Sequence, residues 1–114
     1  MINIDRIIHI NQSLVYLSGE KSIHNSNLDF AIDEYNHSKQ IKVDLAKLIY
    51  RINSTHAFTN GNKRTCTAIM QMFYEIDIER TKECLKYIAD NILSVEESKA
   101  IKMIGDLLIW KNIL

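Results

Sequence analysis

The ten residues His56-Ala57-Phe58-Thr59-Asn60-Gly61-Asn62-Lys63-Arg64-Thr65 concentrate the chemistry of this chain. Gly61 and Asn62 fall where a loop turns into a helix. Both residue types tolerate positive φ, so the backbone there can curl and aim several N–H groups at one point. A helix start also carries unpaired N–H groups and partial positive charge, which makes it a natural anion site. Lys63 and Arg64 add two full positive charges in the first turn, where they oppose the helix dipole unless an anion sits beside them. Arginine brings a planar fork suited to phosphate oxygens, and lysine a mobile point charge. His56 stands just upstream. An uncharged imidazole is the form a general base needs to take a proton from an attacking hydroxyl. Phe58 alternates with His56 and is expected to point into the core, supporting the loop from beneath. Asn60 offers an amide oxygen to a magnesium ion bridging phosphates. Singly, a histidine, a Gly-Asn pair and a Lys-Arg pair each have an ordinary structural reading; their gathering at one helix start is what points to phosphate chemistry. The window is not a Walker loop, because GxxxxGK[ST] is absent.

The rest of the composition removes other classes of function. Basic and acidic side chains balance at 14 each, which argues against a partner held by bulk electrostatics, whether nucleic acid or an anionic membrane. No stretch approaches the roughly 18 uninterrupted apolar residues of a membrane span. The segment MINIDRIIHINQ is interrupted by Asp5 and Arg6 and does not read as a signal peptide, so a cytoplasmic protein is expected. His9, His24, His37 and His56 are scattered and form no HExxH, which disfavours a histidine-built metalloenzyme. Cys66 and Cys84 lack zinc spacing and are expected to be reduced, half-buried thiols.

The elements that must hold the window are helical. The chain has no proline and three glycines among 114 residues, with 46% apolar and 25% charged residues, a pattern that long helices tolerate better than many short strands. Ile7, Ile8, Ile10, Leu14, Val15 and Leu17 recur at helical intervals, and Gly19 is placed to end that helix in a left-handed cap. Asn25 to Asn27 offers N-caps for a short helix carrying Leu28, Phe30, Ala31, Ile32 and Tyr35. Residues 36–40 read as a loop. Val43, Leu45, Ala46, Leu48, Ile49 and Ile52 make a strongly periodic helix that ends near Asn53 to Thr55, before the window. Helices are expected from Lys63 to Tyr74 and from Thr81 to about Asn91, the latter with Leu85, Ile88, Ala89 and Ile92 on one face. Ser94 and Glu97 match a capping box, so the last helix is expected from near Val95, burying Ile101, Ile104, Leu107, Leu108 and Trp110. Gly105 within it is expected to mark a close helix crossing. The expected fold is all-α, one compact bundle of about six helices over residues 1–114.

The window resembles the Fic/Doc family. Its Fic signature is HPFxxGNGRxxR, with an acidic residue before the first glycine; the Doc (death-on-curing) branch has the looser HxFxxxNKRT. His56, Phe58, Asn62, Lys63, Arg64 and Thr65 match the Doc form, and Gly61 the Fic form. Ala57 in place of the Fic proline and Thr67 in place of its second arginine both point towards Doc. The helical plan on either side is similar as well, so the resemblance covers most of the chain. It implies a toxin of a toxin–antitoxin pair. Fic proteins transfer AMP from ATP to a protein hydroxyl; Doc-type toxins use ATP in the reverse orientation and transfer its terminal phosphate, elongation factor Tu being their target class. By the same resemblance, His56 is the general base, Gly61 and Asn62 build the anion hole (Asn62 through side chain and backbone), and Lys63 and Arg64 hold phosphates and offset charge. The cofactors implied are ATP and Mg²⁺.

Two departures bear on this. The family's magnesium-holding acid is Asn60 here, a weaker ligand for a hard cation. The family's target-docking flap, which works by strand addition, has only residues 36–40 to form from. The inhibitory [ST]xxxE[GN] pattern of some Fic proteins is absent, so the implied partner is an antitoxin acting in trans through an amphipathic segment. The alternatives are AMP transfer of the Fic type, disfavoured by Lys63 at the second glycine position, and a catalytically weakened homologue serving as a binding or regulatory partner.

Overall fold

The structure is a computed structural model that describes residues 1–39 and 41–109. Six helices follow in order: α1 (Ile4–Tyr16), α2 (Ser26–Asn36), α3 (Lys42–Ser54), α4 (Asn62–Phe73), α5 (Ile78–Asp90) and α6 (Glu97–Ile109). There is no β-strand among the described residues, only an isolated antiparallel bridge between His24 and Phe58. This is the all-α bundle that the apolar spacing predicts.

Local chemistry sets the helix ends. The Asn3 side chain accepts from the N–H groups of Asp5 and Arg6 at 2.8 and 3.4 Å, and Asn25 accepts from Asn27 at 2.9 Å. Gly19, at φ +71°, closes α1 in a Schellman turn: its N–H reaches the Tyr16 carbonyl, and the Glu20 N–H reaches that of Val15, both at 3.0 Å. Helix α5 begins at Ile78, three residues before the expected Thr81, because the Asp77 carboxylate accepts from the Arg80 N–H at 3.1 Å. Helix α6 begins at Glu97, two residues after the expected Val95. The Ser94 hydroxyl donates to the Asn91 carbonyl at 3.2 Å, and the Glu97 carboxylate is drawn to Arg51 on α3, so the expected capping box gives way to a tertiary ion pair.

Helix α3 is the centre of the bundle and packs against α2, α4, α5 and α6, while α1 packs on α2 and α4. Leu45, Ala46, Leu48, Ile49 and Ile52 of α3 are all buried, and Leu28, Ile69, Met70, Leu85, Ile88, Ile104 and Leu108 meet them from the other helices. Four apolar residues expected on inner faces are exposed instead. Leu17 and Ile92 fall beyond the last turns of their helices, while Phe30 (70% exposed) and Val43 lie on the outward sides of α2 and α3. Cys66 is fully buried, not half-buried, and burial pushes its thiol pKa well up; Cys84 is partly buried and shifts the same way for the same reason. A methyl group on Gly105 would meet Ala46 Cβ at 3.9 Å, ordinary contact distance, so the α3–α6 crossing does not depend on glycine. Trp110 lies outside the described residues. No helix of the described residues is long and apolar enough to cross a membrane.

Candidate active site

The window forms the loop between α3 and the start of α4, and a second segment of chain grips it from outside. The Asn25 N–H donates to the Ala57 carbonyl at 3.0 Å, and the Thr59 N–H donates to that of Ile23 at 2.9 Å. The Asn25 side chain adds a bond to the His56 carbonyl at 2.9 Å, and the Asn27 side chain one to that of Thr55 at 3.2 Å. From beneath, Phe58 is 1% exposed, the role its alternation with His56 predicts. His56 sits in the left-handed region at φ +49°, unusual for a residue with a Cβ, and its side chain is exposed at the mouth of a cleft.

Gly61 is required twice over. Its φ of +75° favours glycine, and a Cβ there would lie 2.7 Å from Val15 Cγ1 and 3.1 Å from Asn11 Nδ2. This close approach to α1 lets the chain turn directly into α4, whose first helical bond runs from the Thr65 N–H to the Gly61 carbonyl at 2.9 Å. The N–H groups of Asn62, Lys63 and Arg64 are therefore left without intrahelical partners, which is the arrangement an anion site needs.

The Asn62 side chain has a different use from the one expected. Its Oδ1 accepts from the Phe58 N–H at 2.9 Å, and its Nδ2 donates to the Phe58 carbonyl at 2.8 Å. Both polar ends thus brace the loop, leaving the backbone N–H of Asn62 to face an anion. Arg64 donates to the Ser18 hydroxyl at 2.7 Å and to the Glu20 carboxylate at 3.1 Å, so part of its charge is already paired.

Asn60 is held by its surroundings. Its carbonyl accepts from Asn11 Nδ2 at 2.8 Å and from the Ser22 hydroxyl at 3.0 Å, and its own Nδ2 donates to the Lys21 carbonyl at 2.7 Å. Asn60 itself leaves one neutral amide oxygen for a metal ion, and the two carboxylates that border the same cleft, Glu20 and Asp90, are paired with Arg64 and Lys86. Among the described residues, no three His, Cys, Asp or Glu side chains gather as a metal site. The donor set does not fit a resident Mg²⁺.

Three polar residues that sequence reasoning passed over complete the site. Asn11 is fully buried in the apolar register Ile7–Asn11–Val15 of α1, and its amide also donates to the Thr65 hydroxyl at 3.0 Å. An asparagine at a core position of an amphipathic helix was the available signal. Ser22 is buried beneath Asn60. Asn53, 2% exposed, donates to the Leu85 carbonyl at 3.2 Å and ties the end of α3 to α5, while its Oδ1 is buried without a protein partner.

His56, Asn60, Gly61, Asn62, Lys63 and Arg64 all open onto one cleft of about 860 Å³, whose far wall is α5. A family model described as the Fic/DOC family matches residues 2–74, from α1 through the window to the end of α4. The chain belongs to that family, which is in general one of transferases moving AMP or phosphate. No curated protein and no solved structure gives a significant match.

Proposed function

We propose that this chain is a Doc-like protein kinase that moves the terminal phosphate of ATP to a serine or threonine hydroxyl of a protein target. The observation that carries this reading is the start of α4: three N–H groups without helical partners, with Lys63 and Arg64, open onto the same cleft as His56. His56 takes the proton of the attacking hydroxyl. The oxygen–phosphorus bond forms as the bond from that phosphorus to the bridging oxygen breaks, and ADP leaves. The free N–H groups and the two cations bear the charge on the phosphoryl oxygens, so the work is positioning and electrostatics. Lys63 favours terminal-phosphate over AMP transfer, because its side chain crowds the backbone position where the Fic signature has glycine. Elongation factor Tu is the target class, translation arrest the outcome, and the cytoplasm the place. An antitoxin segment binding in trans restrains the activity. The α2–α3 connection runs only from His37 to Ile41, too short for a docking hairpin, so the target is recognised by other surfaces.

Asn60 favours one other reading, a homologue with weakened catalysis that serves as a binding partner. Both are tested by incubating the protein with a cell lysate and ATP labelled on the terminal phosphate or, in parallel, on the α-phosphate. Terminal label on a protein band, lost in His56→Ala, is the expected result. Label from the α-phosphate makes the protein an AMP transferase. No label from either, with unaltered growth on expression, leaves the binding-partner reading.

A further inference from the structure

The cleft has a second basic wall outside the family-matched segment. Helices α4 and α5 are joined by residues 74–77 and pack as an antiparallel hairpin. On α4, Lys63, Thr67 and Gln71 recur every fourth residue and line the cleft; on α5, Ile78, Lys82, Lys86 and Asp90 do the same. The antiparallel pairing brings the Asp90 end of α5 to the start of α4. Asp90 is held below the ordinary carboxylate range chiefly by its hydrogen bond from Lys86, at 2.7 Å, and the charge of Lys63 adds to the effect. Four cations (Lys63, Arg64, Lys82, Lys86) and two carboxylates (Glu20, Asp90) border the cleft, a local excess of positive charge in a chain of zero net charge.

A phosphate chain seated at the start of α4 needs counter-charge beyond Lys63 and a half-paired Arg64. The usual source is a divalent cation on a carboxylate, and Asn60 does not supply one. We propose that Lys82 and Lys86 of α5 bind the phosphate chain of the nucleotide and provide the counter-charge that a metal ion would otherwise bring. Lys86 exchanges Asp90 for a phosphate oxygen; Lys82, one turn further along, takes the next. The identity of the polyphosphate as ATP rests on the proposed transferase reading; the basic wall itself is a property of α5.

Calorimetric titration with inorganic tripolyphosphate and with ATP, each in EDTA and in excess Mg²⁺, tests this. The wild-type chain is expected to bind both ligands in EDTA. Lys82→Gln/Lys86→Gln is expected to weaken both about tenfold, and Lys82→Gln alone, which leaves the Lys86–Asp90 pair intact, about threefold. Both lysines are exposed, so the variants are expected to keep the wild-type melting temperature. Asn60→Asp is expected to weaken binding in EDTA and strengthen it in Mg²⁺. Unchanged affinity in the double variant, or binding that requires Mg²⁺ in the wild-type chain, overturns the proposal. The two readings fail separately. Lysine-dependent tripolyphosphate binding without transfer of label removes the kinase and keeps the basic wall. Transfer of label that is indifferent to both lysines does the reverse.

Discussion

The guanidinium of Arg64 is tied to the carboxylate of Glu20 at 3.1 Å, joining the first turn of α4 to the turn that ends α1. Ser18 completes the grip at 2.7 Å. The cation best shaped to fork a phosphate is thus oriented in advance, and partly neutralised.

Removing the Glu20 charge should release that neutralisation. Glu20→Gln keeps a hydrogen-bond acceptor for Arg64 and takes one negative charge from the rim of the cleft. Tripolyphosphate is expected to bind about threefold more tightly, the scale of a partly exposed charge pair, as measured by calorimetric titration. Weaker binding would make Glu20 chiefly a positioner of Arg64.

Gly19 and Gly61 share a left-handed φ but differ in the room around them. Gly19→Ala meets nothing within 4 Å and is expected to cost about 1 kcal/mol, from backbone strain alone. Gly61→Ala adds a clash with Val15 to the same strain and is expected to cost about 2–4 kcal/mol, with loss of label transfer. Urea denaturation of the two variants side by side checks the difference. Equal costs would show that α1 yields easily to a methyl group at the start of α4.

The Arg51–Glu97 pair makes a pH prediction. The hydrogen bond from Arg51 on α3 holds the Glu97 carboxyl below its ordinary value of 4.5. A depressed carboxylate pKa contributes stability that is complete above the ordinary value and lost as the pH falls through the lower, folded one. Because Glu97 is half exposed, the contribution is up to about 1 kcal/mol. Glu97→Gln is expected to lower the denaturation midpoint at neutral pH and to converge on the wild-type chain as the pH falls through the depressed carboxylate value. A deficit that persists at the lower pH would assign the effect to packing.

The helices were legible because each buries one stripe of side chains, and a stripe at 3.6-residue spacing is a local property of the chain. Leu28, Ala31, Ile32 and Tyr35 show it on α2, and Leu45, Leu48, Ile49 and Ile52 on α3. The window was legible for a similar reason, since its turn glycine, helix start and cations are contiguous. What escaped reading was set by residues distant in sequence. Glu97 reads as half of a capping box until Arg51, 46 positions away, is brought against its carboxylate. Asn11 reads as a break in an apolar stripe until Asn60, 49 positions on, is brought against it. The Asn62 amide looks available to a ligand until the Phe58 backbone closes on it. The α5 lysines carry no local mark of function; only the hairpin turns them towards the start of α4.

The grip of residues 21–25 on the loop at His56 has a kinetic consequence. The Asn25 side chain holds the His56 carbonyl across 31 positions, and the backbone bonds of Ala57 and Thr59 run to the same segment. Neither stretch can fray without releasing the other, so the two are expected to open as one cooperative unit. The left-handed backbone at His56 then survives only while that unit stays closed. The lifetime of the competent site is set in the α1–α2 connection, a segment that contributes none of the residues proposed for catalysis.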